Sequence, residues 1–292
     1  MIFSVIIPTY NRAETVAETV RSVLGQTFGD FEIIVVDDGG SDNTAELLAA
    51  LNDPRIKYFY KKNEERAVAR NYGAALASGM YLNFVDSDDL MQPHHLASVH
   101  QFLEKTRYEP RMVFTGYTVV DENGNEIYRY GLTGIFPFKK LLYGNHLLNI
   151  ALIVEKKAFM TEQYNTDRRI IVLEDWELWL RLLSHHKVHC IPAFSIAAVN
   201  HSGRSVLSSN ADGLITKVNA MREISFRDAP MVSRSWRARR TLSMGLFSYA
   251  SLHMALAGEK RSKVIHYLIK ALRSDPCLLL KKRFYAIVRR LF

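Results

Sequence analysis

Leu82-Asn83-Phe84-Val85-Asp86-Ser87-Asp88-Asp89 runs from an apolar strand straight into three carboxylates, with Leu90 and Met91 behind them and Pro93 set to open a helix. Carboxylates packed this tightly repel one another and call for compensation. A divalent cation held by their oxygens, which would also neutralise a bound phosphate, is the economical one. The alternative reading is an Asp/Ser-rich turn that caps the next helix. What lies on either side decides between them.

Upstream, residues 3–8, 31–36, 56–60 and 80–85 read as strands and residues 13–24, 41–51 and 67–78 as helices. This βαβαβαβ alternation predicts a Rossmann-like, doubly wound, mostly parallel sheet whose ligands sit at the carboxyl ends of the strands. Three of those ends are polar: Thr9-Tyr10-Asn11, Asp37-Asp38 and Asp86-Ser87-Asp88-Asp89. The sheet would bring them to one crevice. Pro8-Thr9-Tyr10-Asn11-Arg12 has no glycine to admit a pyrophosphate, and there is no P-loop, which excludes a dinucleotide oxidoreductase and a P-loop nucleotidase.

Downstream, a helix is predicted to about Lys105, then a strand over 112–120, an Asn-Gly turn at Asn123-Gly124 and a hairpin partner over 127–130. Residues 131–143 carry no readable pattern. Residues 148–154 read as a strand and 156–163 as a helix. Leu173-Glu174-Asp175-Trp176 opens another helix, with Trp176, Trp179, Leu180 and Leu183 inward and Glu177 pairing outward with Arg181. Two short strands, 188–191 and 194–199, precede the polar loop His201-Ser202-Gly203-Arg204-Ser205. From about residue 210 the pattern is helical, broken at Pro230 and Pro276 and capped at Gly258. The last two helices are amphipathic and basic: Val264, Tyr267, Leu268 and Leu272 share one face, then Leu278, Leu279, Phe284, Ile287, Val288 and Leu291.

The 292 residues, 48% of them hydrophobic, suffice for a full core. Cys190 and Cys277 match no metal spacing, and with no secretory leader after Met1 they point to the cytoplasm. The longest apolar stretch, 242–257, is interrupted by serines and His253 and is too short to span a bilayer. The net charge of +8 is uneven, because residues 230–292 hold 14 Lys/Arg against Glu259 and Asp275 alone. A catalytic body over 1–205 and a basic helical extension over 206–292 are expected.

Five stretches together resemble the inverting glycosyltransferases of family 2, which have the GT-A fold. They are Ser4-Val5-Ile6-Ile7-Pro8-Thr9-Tyr10-Asn11, Gln26-Thr27 with Phe31 to Gly39, Ala69-Arg70-Asn71-Tyr72-Gly73, Asp86-Ser87-Asp88-Asp89 and Glu174-Asp175-Trp176-Glu177-Leu178-Trp179-Leu180-Arg181. They cover roughly residues 3–205 in the family's order and spacing. The resemblance implies that Pro8, Thr9 and Tyr10 line the nucleotide pocket, that Asp38 accepts from a uracil ring, and that Arg70 lies near the diphosphate or uracil. Asp86 and Asp88 match the DxD motif, with Asp88 on Mn²⁺ or Mg²⁺ and Asp86 toward the ribose or the metal shell. Asp175 matches the general base and Glu174 a supporting carboxylate, while His201 stands where related enzymes often place a further metal or diphosphate ligand. The sequence departs from the family at Gly39-Gly40-Ser41, where Gly-Ser is usual, and at Arg66, where a glycine often stands. The Gln-x-x-Arg-Trp motif of processive synthases is absent, which implies transfer of a single sugar.

Bland readings stand beside these: a turn residue for Asp38, a solvated helix charge for Arg70, an N-cap for Asp175, a surface histidine for His201 and core for both tryptophans. The expected function is metal-dependent transfer of one sugar from a UDP-sugar to a glycan or lipid-linked acceptor in bacterial cell-surface polysaccharide biosynthesis. Its place is the cytoplasm, peripheral on the inner face of the plasma membrane, with the basic helices on anionic lipid. Alternatives are a non-catalytic nucleotide-sugar or glycan-binding scaffold of the same fold, and tail helices that pack on the body or form a homo-oligomer interface. A nucleic-acid partner is not expected, since the basic tail lacks interleaved stacking aromatics.

Overall fold

A computed structural model describes residues 1–199 and 211–291. The chain forms two compact units, one of Met1–Phe136, Leu147–Thr166 and His186–His201, the other of Pro137–His146, Asp167–His185 and Ser202–Phe292.

The first unit is built on one mixed sheet. In chain order its strands are β1 (Phe3–Thr9), β2 (Phe31–Asp37), β3 (Ile56–Tyr60), β4 (Tyr81–Phe84), β5 (Leu90–Met91), β6 (Met112–Val120), β7 (Glu126–Tyr130), β8 (Gly134–Ile135), β9 (Leu152–Glu155) and β10 (Val188–Val199). They lie in the order β3-β2-β1-β4-β9-β6-β10-β5, with β7 on β6 and β8 on β10. The expected parallel set, β3-β2-β1-β4, is present. Every residue of β1 and β2 is buried, as strands covered on both faces must be. β9 enters antiparallel between β4 and β6.

The helix Arg66–Leu76 packs on β1 and β2 through Gly73, where a Cβ would lie 2.6 Å from Ile6 Cγ2. Two local expectations are corrected and one unassigned stretch is filled. The two short strands near residue 190 are one, Val188–Val199, whose register shifts between Cys190 and Ile196, around Pro192, which has no N–H for the ladder. Residues 149–151 form a 3₁₀ turn ahead of β9. Residues 131–143 hold β8 and the helix Phe138–Tyr143.

The second unit is helical. Trp236–Leu256 is its centre, packed by Phe138–Tyr143, Ala211–Asp228, Arg261–Ser274 and Lys282–Leu291. Ser235 caps it by accepting from Ala238 N–H, and a Cβ on Gly245 would collide with the Leu142 carbonyl, so that helix is approached at backbone distance. Glu177 and Arg181 do pair, but inward: both are buried and the fork is bidentate, 2.7 and 2.8 Å. Val264, Tyr267 and Leu268 also turn inward. No described helix is long and apolar enough to cross a membrane.

Candidate active site

The crevice of the first unit is assembled from the loops that leave β1, β2 and β4. Thr9 pairs with Asp37 across the sheet, and its carbonyl accepts from Asp38 N–H at 2.9 Å. The two loops beyond are stitched together: Asn11 Oδ1 accepts from Ser41 N–H at 2.7 Å, and Asp42 Oδ2 from Ala13 N–H at 2.9 Å. Asn11 sits at φ +48° and Gly39 at φ +85°, so the turns are tight. A Cβ on Gly40 would lie 2.8 Å from Asp37 Oδ1, whose carboxylate accepts from Gly40 N–H and from Tyr58 Oη. The Gly39-Gly40 departure thus has a steric cause. The other departure begins a helix at Arg66, and the left-handed residue is its neighbour Glu65, φ +78°.

Asp38 is buried and fixed. Its Oδ1 accepts from Lys61 Nζ at 2.7 Å and from Glu64 N–H at 3.1 Å, which leaves Oδ2 without a donor among the described residues. Burial pushes the Lys61 pKa down, but its bonds to Asp38 and Glu64 more than offset that and hold it above the usual value. The Thr9 hydroxyl is buried with no hydrogen-bond partner, Pro8 is buried beside it, and Tyr10 is half exposed.

At the end of β4, Arg70 donates to Asp86 Oδ1 at 2.6 Å, and Arg12 to Asp88 Oδ2 at 2.5 Å. Arg70 is 1% exposed, with its guanidinium 5.2 Å from the Tyr164 ring, so the solvated helix charge is excluded. Asn71 holds that tyrosine in place: its amide donates to Tyr164 O and its Oδ1 accepts from Tyr164 N–H, both at 2.9 Å. Ala-Arg-Asn-Tyr-Gly is therefore a unit in which Arg70 reaches the acids, Asn71 fixes the stacking ring and Gly73 seats the helix on the sheet. Asp89, the third acid, belongs to the scaffold: it is buried, Oδ1 accepts from Val199 N–H at 3.3 Å, and its carbonyl accepts from Thr19 Oγ1.

The donor set suits a hard cation. Asp86 and Asp88 offer carboxylate oxygen alone, and no described group of three or more His, Cys, Asp or Glu could hold a metal. An ion held by one or two carboxylates would take its remaining oxygens from the phosphates of a ligand.

In the second unit the helix Glu174–Leu182 begins one residue before Asp175. Leu173 occupies the cap position, so Asp175 is a half-buried residue of the first turn and not the N-cap. Glu174 is buried. Val172 just ahead has φ +75°, a strained conformation for a β-branched residue. Trp176 and Trp179 are buried, and Trp176 Nε1 donates to Leu141 O at 2.7 Å. His201 lies outside the described residues.

Thr9, Asp38, Asp86 and Asp88 thus follow or end adjoining strands and Arg70 reaches Asp86 from a helix, while two residues that the sequence reading passed over hold the acids: Arg12 bonds Asp88 and Lys61 bonds Asp38. Arg12 was legible as the one cation on the loop after β1. Lys61 directly follows β3 and opens the charged run Lys61-Lys62-Asn63-Glu64-Glu65, to which sequence reasoning gave no role.

Comparison with known proteins agrees with this geometry. The family model described as glycosyl transferase family 2 matches residues 4–166. An uncharacterized glycosyltransferase of Rickettsia conorii is 44% identical over 127 residues, 42% of this chain and 20% of the relative, so the match spans about a fifth of that protein's length. Escherichia coli WfgD, a UDP-Glc:alpha-D-GlcNAc-diphosphoundecaprenol beta-1,3-glucosyltransferase, is 26% identical over 208 residues, 71% of this chain and 79% of WfgD. Among solved structures, Staphylococcus aureus TarS 1-349 in complex with UDP-GlcNAc aligns with a TM-score of 0.71 at 19% identity, covering 100% of this chain and 88% of that one. At that identity the likeness concerns the fold.

Proposed function

Because the chain belongs to glycosyl transferase family 2 and has its GT-A fold, we propose that this glycosyltransferase moves a single sugar, with inversion, from a UDP-sugar to a glycan or lipid-linked acceptor in bacterial cell-surface polysaccharide biosynthesis. The observation that carries the donor reading is Asp38: a buried carboxylate held by Lys61, with one oxygen left to accept. An acceptor-only group suits the ring N–H of uracil, and it repels the lone pair that cytosine presents at the same ring position. WfgD is named for UDP-Glc and TarS was solved with UDP-GlcNAc, which supports the same base.

The diphosphate would lie along Arg12, Arg70, Asp86 and Asp88. Asp88, with Asp86, would hold Mn²⁺ or Mg²⁺, which when bound would offset the charge that builds on the departing nucleoside diphosphate. Arg70, buried and aimed at the same turn, supplies fixed positive charge that needs no reorganisation. Thr9 and Tyr10 line the nucleoside side. Asp175 is the general base that takes the proton of the attacking acceptor hydroxyl, and a single base on the face opposite the leaving group gives inversion. Strain at Val172 fits a backbone held for the sake of Glu174 and Asp175. His201 is a further metal or diphosphate ligand in this reading. The enzyme would work on the inner face of the plasma membrane, its catalytic body over 1–205 and its basic helices over 206–292.

The test is release of nucleoside diphosphate from UDP-, GDP-, CDP- and dTDP-sugars in the presence of Mn²⁺ and a lipid-diphosphate-linked sugar acceptor. Turnover confined to a UDP-sugar supports the reading; turnover with CDP-sugars instead contradicts the role given to Asp38.

A further inference from the structure

Over one short stretch of the second unit the chain tucks Lys281 and Arg283 against its own backbone and rings and turns Leu279, Leu280 and Tyr285 outward. Lys281 Nζ lies 4.0 Å from the Tyr143 ring centroid. Arg283 Nη1 donates to Tyr143 O at 2.7 Å, Gly245 O at 3.1 Å and Ser248 Oγ at 3.2 Å, which fixes how the helix Lys282–Leu291 is rotated. Between and beside these tucked cations Leu280 is 82% exposed, Tyr285 61% and Leu279 46%. A segment that meets only water does the reverse.

The outer face of that helix continues the pattern. Ile287 and Leu291 are buried, while Lys282, Tyr285 and Arg289 are exposed at i, i+3 and i+7, one stripe, with Arg290 adjacent. No carboxylate answers these charges nearby in sequence. The nearest, Asp275, accepts from Thr241 Oγ1 and from Cys277 N–H, both at 3.0 Å. Two exposed leucines on a turn and one exposed tyrosine, followed along the chain by the exposed Lys282, Arg289 and Arg290, have the chemistry of a surface for the headgroup layer, where apolar side chains enter, an aromatic sits at the boundary and Lys and Arg meet phosphate. A leucine exposed to this extent projects and has no pocket around it, which favours a soft partner over a peptide.

We propose that the Pro276–Leu280 turn and the Lys282-Tyr285-Arg289 stripe form a docking surface for an anionic lipid bilayer. The inference rests on the membrane part of the proposed function and deepens it, and none of its residues is placed in donor binding or catalysis. Of the two apolar faces named from the sequence, Val264, Tyr267 and Leu268 of the first are packed inside the unit and take no part, and of the second only Leu279 belongs to the surface.

The experiment is flotation of the whole chain with phosphatidylcholine vesicles, with and without phosphatidylglycerol. The wild type should float with the anionic vesicles. K282Q/R289Q/R290Q should lose roughly a hundredfold in partitioning, at about 1 kcal/mol per removed cation, and L279S/L280S/Y285S should lose at least about tenfold. Both variants should keep the stabilisation by UDP, which separates loss of docking from loss of the donor site. Flotation of the apolar variant equal to wild type, or no flotation of wild type, overturns the proposal. So does a wild-type dimer that L279S/L280S/Y285S dissociates while flotation stays unchanged, because the surface would then join two copies of the chain.

Discussion

Arg12 donates to Asp88 at 2.5 Å and so ties the loop after β1 to the turn after β4. A guanidinium and a divalent cation on one carboxylate compete. R12Q should lower the stability of the metal-free protein by about 1 kcal/mol, as befits a pair 35% and 18% exposed. It should also lower the Mn²⁺ concentration needed for half-maximal stabilisation in the presence of UDP. Calorimetric melting with a metal titration reads both, and a higher metal requirement in R12Q would show that Arg12 helps the ion and does not oppose it.

In the proposed donor site Lys61 would act through Asp38, to which it donates at 2.7 Å. K61M should weaken UDP binding about tenfold, the scale of one charge-assisted hydrogen bond. K61R should recover most of it. Titration calorimetry decides, and equal affinities in wild type and K61M would remove Lys61 from the site.

For Asp175 the expected signature is a split between binding and turnover. D175N should lower kcat by roughly 10²- to 10⁴-fold and leave UDP-dependent stabilisation as in wild type. Turnover insensitive to D175N would move the base elsewhere or leave a binding scaffold.

His95 predicts a pH effect on stability. It is fully buried, with Nδ1 2.8 Å from Ser195 Oγ, and burial, with a small contribution from His94, lowers its pKa from 6.5 to about 3. The folded state therefore keeps it neutral where the unfolded chain takes up a proton. Its contribution is whole above pH 6.5 and is lost as pH falls toward 3, at about 1.4 kcal/mol per pH unit. Denaturant unfolding at pH 6.5 and 5.0 should show that H95Q loses about 2 kcal/mol less than wild type over this interval. Identical slopes would contradict the assignment.

The parallel half of the sheet was legible because Val5, Ile6 and Ile7 in β1 and Ile33, Ile34, Val35 and Val36 in β2 form unbroken β-branched apolar runs, as strands buried on both faces require. The site was legible at the acids, since Asp38, Asp86 and Asp88 stand directly at strand ends. The pairings of Asp88 with Arg12 and of Asp38 with Lys61 were not, because these cations reach the acids across 76 and 23 residues of sequence. Nothing local marks a pairing that the sheet order creates. The inward turn of Glu177 and Arg181 was missed for a related reason: i,i+4 spacing fixes that two charges meet, whereas packing fixes which side of the helix faces the core. The same holds for the tail. Its amphipathic faces were visible, but which of them the helix Trp236–Leu256 would cover depends on a tertiary arrangement that no window of sequence contains.

Thr9, Asp38, Arg70, Asp86 and Asp88 are proposed to bind a nucleoside diphosphate together with a metal ion. The most direct measurement is thermal stabilisation of wild type and D88A by UDP, GDP, CDP and dTDP, each with and without Mn²⁺. A ligand that binds only the folded state must raise its stability, by about 2.7 kcal/mol at a hundred times its dissociation constant. The account predicts stabilisation by UDP that needs Mn²⁺ and disappears in D88A. No stabilisation by any of the four nucleotides, or stabilisation by UDP that D88A and metal removal leave unchanged, would contradict it.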